Sequence, residues 1–435
     1  MEFKEALTRL GIQSLNSLQE RSLAAFVKGQ DLLVLSPTGS GKTIAFLLPV
    51  CRLLVPGMKG VQALILVPSR ELAIQIGEVF RSLRTGYKHA VFYGGHQMST
   101  ELNVLREQPA LLIGTPGRVA FHIREGNLST ENLRTLVLDE FDKSLELGFH
   151  DEISLITSSL PQISQRFLTS ATHGIEIPGF IGFRQGLTVD FLSENAVQPD
   201  LQYLSVSAAP EEKMEALYSL LCQTGHEPVV VFVNHREMAA KVGGWLGDAG
   251  MPYALFHGKM EQQDRELSLA RFRNGTVRIL ITTDLAARGL DIPEVAAVIH
   301  YQLPVTKDAF IHRNGRTARM CAAGRVYLLF TDEALPRWMD VGAEAVSVSA
   351  DPVQPAPPEW ETVYASAGKK DKLSKTDLVG FFIGKGGLNK EDIGMIEVKD
   401  QMSFVAVKRN KVSKLLRSVQ HEKIKNKRIR FEIAG

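Results

Sequence analysis

Cysteine is scarce. Its three copies, Cys51, Cys222 and Cys321, stand far apart among 435 residues. Such spacing excludes a disulfide framework or a cysteine-ligated zinc site. It fits thiols kept reduced, as in a cytoplasmic protein. No apolar run approaches the roughly 20 residues of a membrane-spanning helix. The opening Met1-Glu2-Phe3-Lys4-Glu5 lacks the basic and apolar regions of a secretory leader. An excess of charge is also missing, since the net value is only +2. That small sum hides an asymmetry. Residues 361–435 carry 17 Lys and Arg against 9 Asp and Glu, while the rest carries 33 against 39. A basic terminal module on a mildly acidic body points to a polyanionic partner. A merely well-solvated surface has the same composition.

Against these absences stands one informative stretch, Leu32 to Thr43, reading Leu-Leu-Val-Leu-Ser-Pro-Thr-Gly-Ser-Gly-Lys-Thr. The apolar run Leu32 to Leu35 predicts a short buried strand. Ser36, Pro37, Thr38, Gly39, Ser40 and Gly41 form a small-residue turn. Lys42 and Thr43 then open an apolar run to Val50 that predicts a helix. A strand feeding a glycine turn and a helix N-terminus is a phosphate cradle, because its N–H groups and the helix dipole face the anion. Lys42 would reach the β/γ-phosphates, and the Thr43 hydroxyl would ligate Mg²⁺. The strict pattern has glycine at position 36, where this chain has Ser36.

Around this loop the chain alternates strands and helices. Strands are expected at 31–36, 63–68, 89–93, 110–115, 135–139 and 166–170, after a helical stretch over residues 1 to about 30. The alternation repeats with strands at 229–234, 253–257, 278–283, 296–301 and 325–330. It predicts two parallel sheets covered by helices. The expected domains are 1–195 and 201–345, then a Pro-rich extended linker at 346–360, then a small module at 361–435. The strand Thr135-Leu-Val-Leu ends in Asp139 and Glu140. Paired acids there suit a phosphate loop: Asp139 would hold Mg²⁺ through water, and Glu140 would polarise the attacking water.

With these blocks the chain resembles the DEAD-box RNA helicases, from about Phe3 to Phe330. Asp139-Glu140-Phe141-Asp142 stands where the family has Asp-Glu-Ala-Asp. Other matching blocks are Pro68-Ser-Arg-Glu-Leu-Ala73, Gly94-Gly95, Thr115-Pro-Gly-Arg118, Ser170-Ala-Thr172, Thr282-Thr-Asp-Leu-Ala-Ala-Arg-Gly-Leu-Asp291 and His312-Arg-Asn-Gly-Arg-Thr-Ala-Arg319. The resemblance implies two tandem RecA-like α/β domains, ATP as cofactor with Mg²⁺, and RNA as partner. Phe3 and Gln19 match the adenine-reading motif: a ring stacks on the base, and an amide satisfies its N6 donor and N7 acceptor. Taken alone, Gln19 reads as a surface helix residue. Arg316 and Arg319 match the family's arginine fingers, and Asp291 its ribose contact. Without the surrounding motif each arginine reads as a salt bridge. Arg70, Gly95, Thr115, Arg118 and Thr283 sit in blocks that line the family's RNA groove, suited to sequence-blind phosphate and sugar contacts. Three positions depart from the family: Phe141 replaces the usual Ala, Ser69 a usual Thr, and Ala318 a usual Gly.

The terminal module carries Ser366-Ala-Gly-Lys-Lys-Asp-Lys372, then Ile396–Val398, Ser403–Val407, a helix around Val412–Val419 and Lys427-Arg-Ile-Arg-Phe431. In that block order it resembles the C-terminal domain of the DbpA type of bacterial DEAD-box helicase. That implies an α+β RNA-recognition-motif fold and binding to structured large-subunit ribosomal RNA. The aromatic signature of base-stacking RNA-recognition sheets is absent, and Phe404 and Phe431 are expected in the core. Lys369, Lys370, Lys372, Arg428 and Arg430 are therefore the expected RNA contacts, with Arg428 and Arg430 on one strand face. The whole reads as a monomeric, cytoplasmic ATP-dependent RNA helicase of ribosome assembly. The rival reading is an ATP-gated RNA clamp without useful unwinding; a DNA translocase is disfavoured by the RNA-type blocks.

Overall fold

The computed structural model describes residues 4–27, 29–37, 39–95, 98–174, 176–184, 186–192, 201–284, 295–317, 324–331, 336–339 and 341–435. They form two compact units that divide near Gln198.

The first unit holds strands β1 Leu32–Leu35, β2 Ala63–Leu66, β3 His89–Phe92, β4 Leu111–Gly114, β5 Thr135–Leu138, β6 Gln165–Ser170 and β7 Leu187–Asp190. They form a parallel sheet in the order β3-β4-β2-β5-β6-β1-β7. Its helices are α1 Lys4–Arg9, α2 Ser17–Ala25, α3 Lys42–Leu53, α4 Arg70–Ser82, α5 Met98–Arg106, α6 Pro116–Arg124, α7 Phe141–Glu146 and α8 His150–Ser158. Successive strand side chains point to opposite faces. Ala63, Ile65 and Val67 accordingly join one core, and Leu64 and Leu66 the other. Both faces are covered, which is why the strands read as continuous apolar runs. The single helical stretch expected at the N-terminus is two helices. Gly11 (φ +74) turns the chain between them, and Asn16 with Gln19 forms a capping box that starts α2.

The second unit begins with β8 Leu201–Ser207, β9 Val229–Val233, β10 Tyr253–Phe256, β11 Ile279–Thr283, β12 Ala297–His300, β13 Gly324–Phe330 and β14 Glu344–Ala345. Their parallel order is β10-β11-β9-β12-β13-β8-β14. Helices α9 Lys213–Thr224, α10 Arg236–Asp248, α11 Gln262–Arg273 and α12 Lys307–Asn314 accompany them. The Pro-rich segment is extended and strapped to this domain. The Ser219 hydroxyl donates to Ser349 O (2.5 Å), Gln354 Nε2 to Gly250 O (2.8 Å), and Arg278 Nη1 to Ala356 O (3.3 Å).

The terminal module follows in the same unit: β15 Trp360–Ala365, α13 Lys375–Gly384, β16 Ile393–Val398, β17 Ser403–Lys408, α14 Arg409–Val419, β18 Lys423–Ile424, β19 Lys427–Arg428 and β20 Phe431–Ile433. An antiparallel sheet, β16-β17-β15-β20, carries both helices on one face. The expected single strand through Lys427–Phe431 is instead divided. Lys425 (φ +48) and Asn426 (φ +65) make a tight hairpin turn between β18 and β19. Ile429 turns inward, and β20 then pairs with β15. Arg428 and Arg430 therefore do not belong to one strand: Arg428 ends β19, while the Arg430 N–H donates to Ser366 Oγ just beyond β15.

Candidate nucleotide and RNA sites

In the first domain, β5, β6 and β1 are neighbours, so their C-terminal ends bring Asp139-Glu140, Ser170-Ala-Thr172 and the loop after Leu35 together. The C-terminal ends of a parallel sheet are where such folds bind ligands. Gly39 (φ +83) and Gly41 (φ +90) take the left-handed conformation that the loop requires. Ser36 lies outside that region, so the missing glycine costs the backbone nothing. Its N–H donates to Ser170 O (3.0 Å), which ties the loop to β6. Its hydroxyl meets the Ser40 hydroxyl at 2.9 Å. The buried Lys42 ammonium is held inside the loop by Ser36 O (2.7 Å) and Pro37 O (3.2 Å). Thr43 is half-buried on the first turn of α3.

Helix α2 braces this loop. Gln19 Nε2 donates to Gly41 O (3.3 Å), and Asn16 Nδ2 to Ser40 O (2.9 Å). Gln19 Oε1 meanwhile accepts the Asn16 N–H at 3.1 Å. An amide has two donors and two acceptor lone pairs, so capacity for adenine remains. Gln19 is buried, not the surface residue that its sequence context alone suggests. A Cβ on Gly41 would stand 2.5 Å from the Gln19 amide nitrogen and push that amide aside, and its φ of +90 is strained for any other residue.

The acids are positioned by Thr169, which the sequence reading missed. Its hydroxyl donates to Asp139 Oδ1 (2.5 Å) and accepts the Glu140 N–H (3.0 Å). Burial pushes the Asp139 carboxyl above its ordinary range, while the Thr169 bond and the Lys42 charge pull it back. Glu140 has φ +49, an uncommon conformation for a non-glycine residue, of the kind that clusters at functional sites. Asp142 is buried and accepts from Thr172 Oγ1 (3.2 Å) and Ala171 N (3.4 Å). The Phe141 ring is buried in the core against the Leu138, Ile153 and Leu168 cluster. A pocket behind the acids therefore takes the larger side chain. Asp139 and Thr43 offer hard oxygen donors of the kind Mg²⁺ selects. A cation would also relieve the buried carboxylate, so the residues fit the metal.

The RNA residues expected in this domain follow the adjacent strands β2, β3 and β4. Ser69 caps α4 by accepting the Leu72 N–H at 3.2 Å, so it supplies the hydroxyl of the usual Thr. The Arg70 guanidinium lies along Gly94 and Gly95, 3.3 Å from where a Cβ on either would stand. Thr115 is the N-cap residue of α6. Arg118 is bound to the buried Glu101, by Nε at 2.7 Å and Nη2 at 2.6 Å.

In the second domain Thr283 closes β11 and is buried. The largest fully buried side chain among the described residues is that of Arg313, inside a block quoted above without being singled out. It grips Asp284 with two bonds, Nε–Oδ1 2.6 Å and Nη2–Oδ2 2.7 Å. It also donates to Asn234 Oδ1 and Gln302 O, both at 2.7 Å, and lies over the Phe232 ring. His300, wholly buried beside it, has its pKa pushed down to about 3 by burial and the Arg313 charge. Its Nδ1 faces Arg313 Nη1 and its Nε2 faces Asn314 Oδ1, which sets the neutral tautomer with the proton on Nε2. Arg316 is buried on the turn after α12, its N–H donating to Arg313 O at 3.1 Å. Phe3, Thr38, Asp291, Ala318 and Arg319 lie outside the described residues.

The module brings its two expected basic segments together. Lys427 Nζ pairs with Asp371 (3.0 Å), while Lys425 Nζ reaches Asp377 (2.7 Å) and Lys372 O (2.8 Å). These bonds dock the β18–β19 hairpin beside the exposed Lys369, Lys370 and Lys372. Arg428 is exposed on that hairpin, whereas Arg430 pairs with Glu432. Exposed Lys414 and Arg417 on α14 add to the basic surface; their helical spacing was a signal in the sequence that went unused.

The other face of the module sheet meets the second helicase domain. Phe404 is buried, but against Ala270, Met402, Leu267 and Tyr364, not in the module core. Phe431 does join the core region, stacked on Phe381. Asn274 Nδ2 donates to Thr362 Oγ1 (3.1 Å), and the Thr276 and Thr362 hydroxyls meet at 2.7 Å. The indole of Trp360 packs over Gly394 and reaches Gly275. The face on which RNA-recognition sheets stack bases is thus covered at Phe404.

Three family models match. That of the DEAD/DEAH box helicases covers residues 16–177, that of the helicase conserved C-terminal domain 212–321, and that of the DbpA RNA binding domain 362–433. The ATP-dependent RNA helicase DbpA of Escherichia coli (strain K12) is 33% identical over 448 residues, covering 98% of this chain and 96% of that protein. The chain belongs to the DEAD-box ATP-dependent RNA helicases. The DbpA helicase of Bacillus subtilis (strain 168) is 29% identical over 99% of the chain and 97% of its own length. Among solved structures, S. cerevisiae Dbp5 bound to RNA and ADP BeF3 matches with a TM-score of 0.68 and 25% identity, over 79% of this chain and 92% of that one. As a DEAD-box enzyme the chain binds ATP and acts on RNA. No helix among the described residues is long and apolar enough to cross a membrane.

The residues that sequence reasoning missed in this helicase, Thr169, Arg313, Asp284 and Glu101, are partners of motif residues. Thr169 directly precedes the Ser170-Ala-Thr172 block, and its position at the end of a strand was the available signal. Nothing in the sequence alone pairs Arg313 with Asp284 or Arg118 with Glu101.

Proposed function

We propose that this helicase separates short RNA duplexes in structured large-subunit ribosomal RNA, acting as a monomer. The observation that carries the targeting is the basic band of Lys369, Lys370 and Lys372 with the β18–β19 hairpin, on a module whose opposite face is occupied. Lysine and arginine contacts to phosphates then replace base stacking as the mode of capture. Arg428 and Arg430 join those contacts.

For the chemistry, Ser36 to Thr43 hold the phosphates, and Gln19 with Phe3 reads adenine. Thr43 and Asp139 would hold Mg²⁺, which would supply positive charge beside the phosphates. Glu140 accepts the proton of the attacking water. Arg316 and Arg319 supply positive charge at the γ-phosphate, with Asp291 at the ribose, when ATP and RNA draw the helicase domains together. Arg70, Gly95, Thr115, Arg118 and Thr283 hold the RNA backbone. Glu140→Gln tests the assignment: nucleotide affinity stays, while multiple-turnover hydrolysis stops. Normal hydrolysis by that variant would remove Glu140 from the role. Crosslinking of the full chain to total RNA, with sequencing of bound fragments, tests the target. Fragments spread evenly over all transcripts would rule out ribosomal targeting.

A further inference from the structure

Glu101 is an acid that the chemistry above does not use, and it lies almost wholly inside the first domain, 1% exposed on α5. Three N–H donors converge on its Oε2: Arg118 Nε at 2.7 Å, Arg118 Nη2 at 2.6 Å and His122 Nε2 at 2.8 Å. His122 is itself inaccessible, its ring set against Phe92 at 4.9 Å. Arg118 lies over the Phe121 ring at 5.2 Å, and its side chain keeps 16% of its surface exposed. Burial alone would raise the Glu101 carboxyl. The bonds from His122 and Arg118 and the Arg118 charge outweigh it and hold the group below its usual value, so the acid is ionised.

A buried anion is a poor neighbour for a phosphate-binding arginine on charge alone. Like charges repel, and the salt bridge cancels part of the arginine's attraction. What the carboxylate supplies is geometry. The guanidinium is a rigid planar fork with five donors. Fixing Nε and Nη2 from inside orients the opposite edge, which suits a phosphate. It also removes in advance the rotamer freedom that an untethered arginine would lose on binding.

We propose that Glu101 is a positioning residue for RNA, locking Arg118 with its outer edge toward a backbone phosphate. This rests on the reading of Arg118 as an RNA contact. The sign of one substitution separates positioning from charge. Glu101→Gln in the full chain removes an anion near the RNA path. If charge were its role, RNA affinity would rise. If positioning is its role, the RNA concentration for half-maximal ATPase rises about 3- to 10-fold, while kcat at saturating RNA and ATP affinity hold.

Arg118→Gln and the double variant complete the test with a single-stranded RNA oligonucleotide and a non-hydrolysable ATP analogue. The double variant should bind no more weakly than Arg118→Gln alone. Tighter RNA binding, additive losses, or a parallel fall in ATP affinity and kcat would overturn the proposal. An Arg118→Gln variant with unchanged RNA binding would instead remove the reading beneath it, and the proposal with it. Should Glu101→Gln fail to fold, Glu101→Asp carries the same test, since it keeps the charge but withdraws the oxygens from Arg118. Its loss should likewise vanish in the Arg118→Gln background.

Discussion

The Thr169 hydroxyl stands 2.5 Å from the Asp139 carboxylate and accepts the Glu140 N–H at 3.0 Å. One side chain thus sets the position of both acids. Thr169→Val keeps the shape and removes both bonds. Removing partners that orient metal and catalytic groups typically costs about 10- to 100-fold in activity. We expect kcat to fall within that range and the Mg²⁺ needed for half-maximal rate to rise. Thr169→Ser should recover most of the loss. A Thr169→Val enzyme with normal turnover at limiting Mg²⁺ would show that the bond is incidental.

Arg273 on α11 and Glu397 on β16 join the second helicase domain to the module across 3.3 Å, both largely shielded from water. Lys399 shares the carboxylate at 2.8 Å. Ion pairs of this partly buried kind are worth more than exposed ones, which contribute about 0.2–1 kcal/mol. A double-mutant cycle with Arg273→Ala and Glu397→Ala should give a coupling energy of about 1–2 kcal/mol in denaturant unfolding. Additivity within about 0.3–0.5 kcal/mol would mean that the pair does not hold the module in place.

His300 stays neutral in the folded state to a pH of about 3, against an ordinary value of 6.5. The unfolded chain takes up a proton below 6.5 that the folded chain refuses. The His300 contribution is therefore whole above pH 6.5 and is lost as pH falls toward 3, with a slope of up to about 1.4 kcal/mol per pH unit. His300→Gln can still accept from Arg313 and donate to Asn314, but does not titrate. The pH dependence of unfolding should be shallower in that variant than in the native chain. Equal slopes between pH 4 and 6.5 would contradict a buried His300 kept neutral in the folded state.

Arg428 and Arg430 differ in commitment, since Arg430 is paired with Glu432 while Arg428 points outward on the hairpin. Arg428→Gln should therefore weaken binding to a structured ribosomal fragment more than Arg430→Gln. It should also reduce the salt dependence of that binding by about one unit of slope if it removes one phosphate contact. Equal effects would mean that Arg430 leaves Glu432 for the RNA. No effect from either would move the contact to Lys369, Lys370 and Lys372.

The parts legible in the sequence are those encoded over short spans. Leu32 to Thr43 specifies strand, turn and helix within twelve residues, and the structure has them at Leu32–Leu35 and Lys42–Leu53. The expected strands of both helicase sheets appear within two residues of their places, because strands buried on both faces must be apolar throughout. β7, β8 and β14 escaped notice: β7 lies at a sheet edge with Leu187 exposed, β8 mixes polar and apolar residues, and β14 is two exposed residues long. Tertiary structure decided what joins distant positions. It gave Gln19 to Gly41, Thr169 to Asp139, Arg313 to Asp284, and Glu101 to Arg118. It also turned Phe404 outward from the module core onto Ala270, and broke the last basic strand in two. Local backbone preference and hydrophobic period act between near neighbours in the chain. A hydrogen bond or a buried ring is satisfied by whichever group the fold brings within reach, so these partners could be known only once the sheets had set their distances.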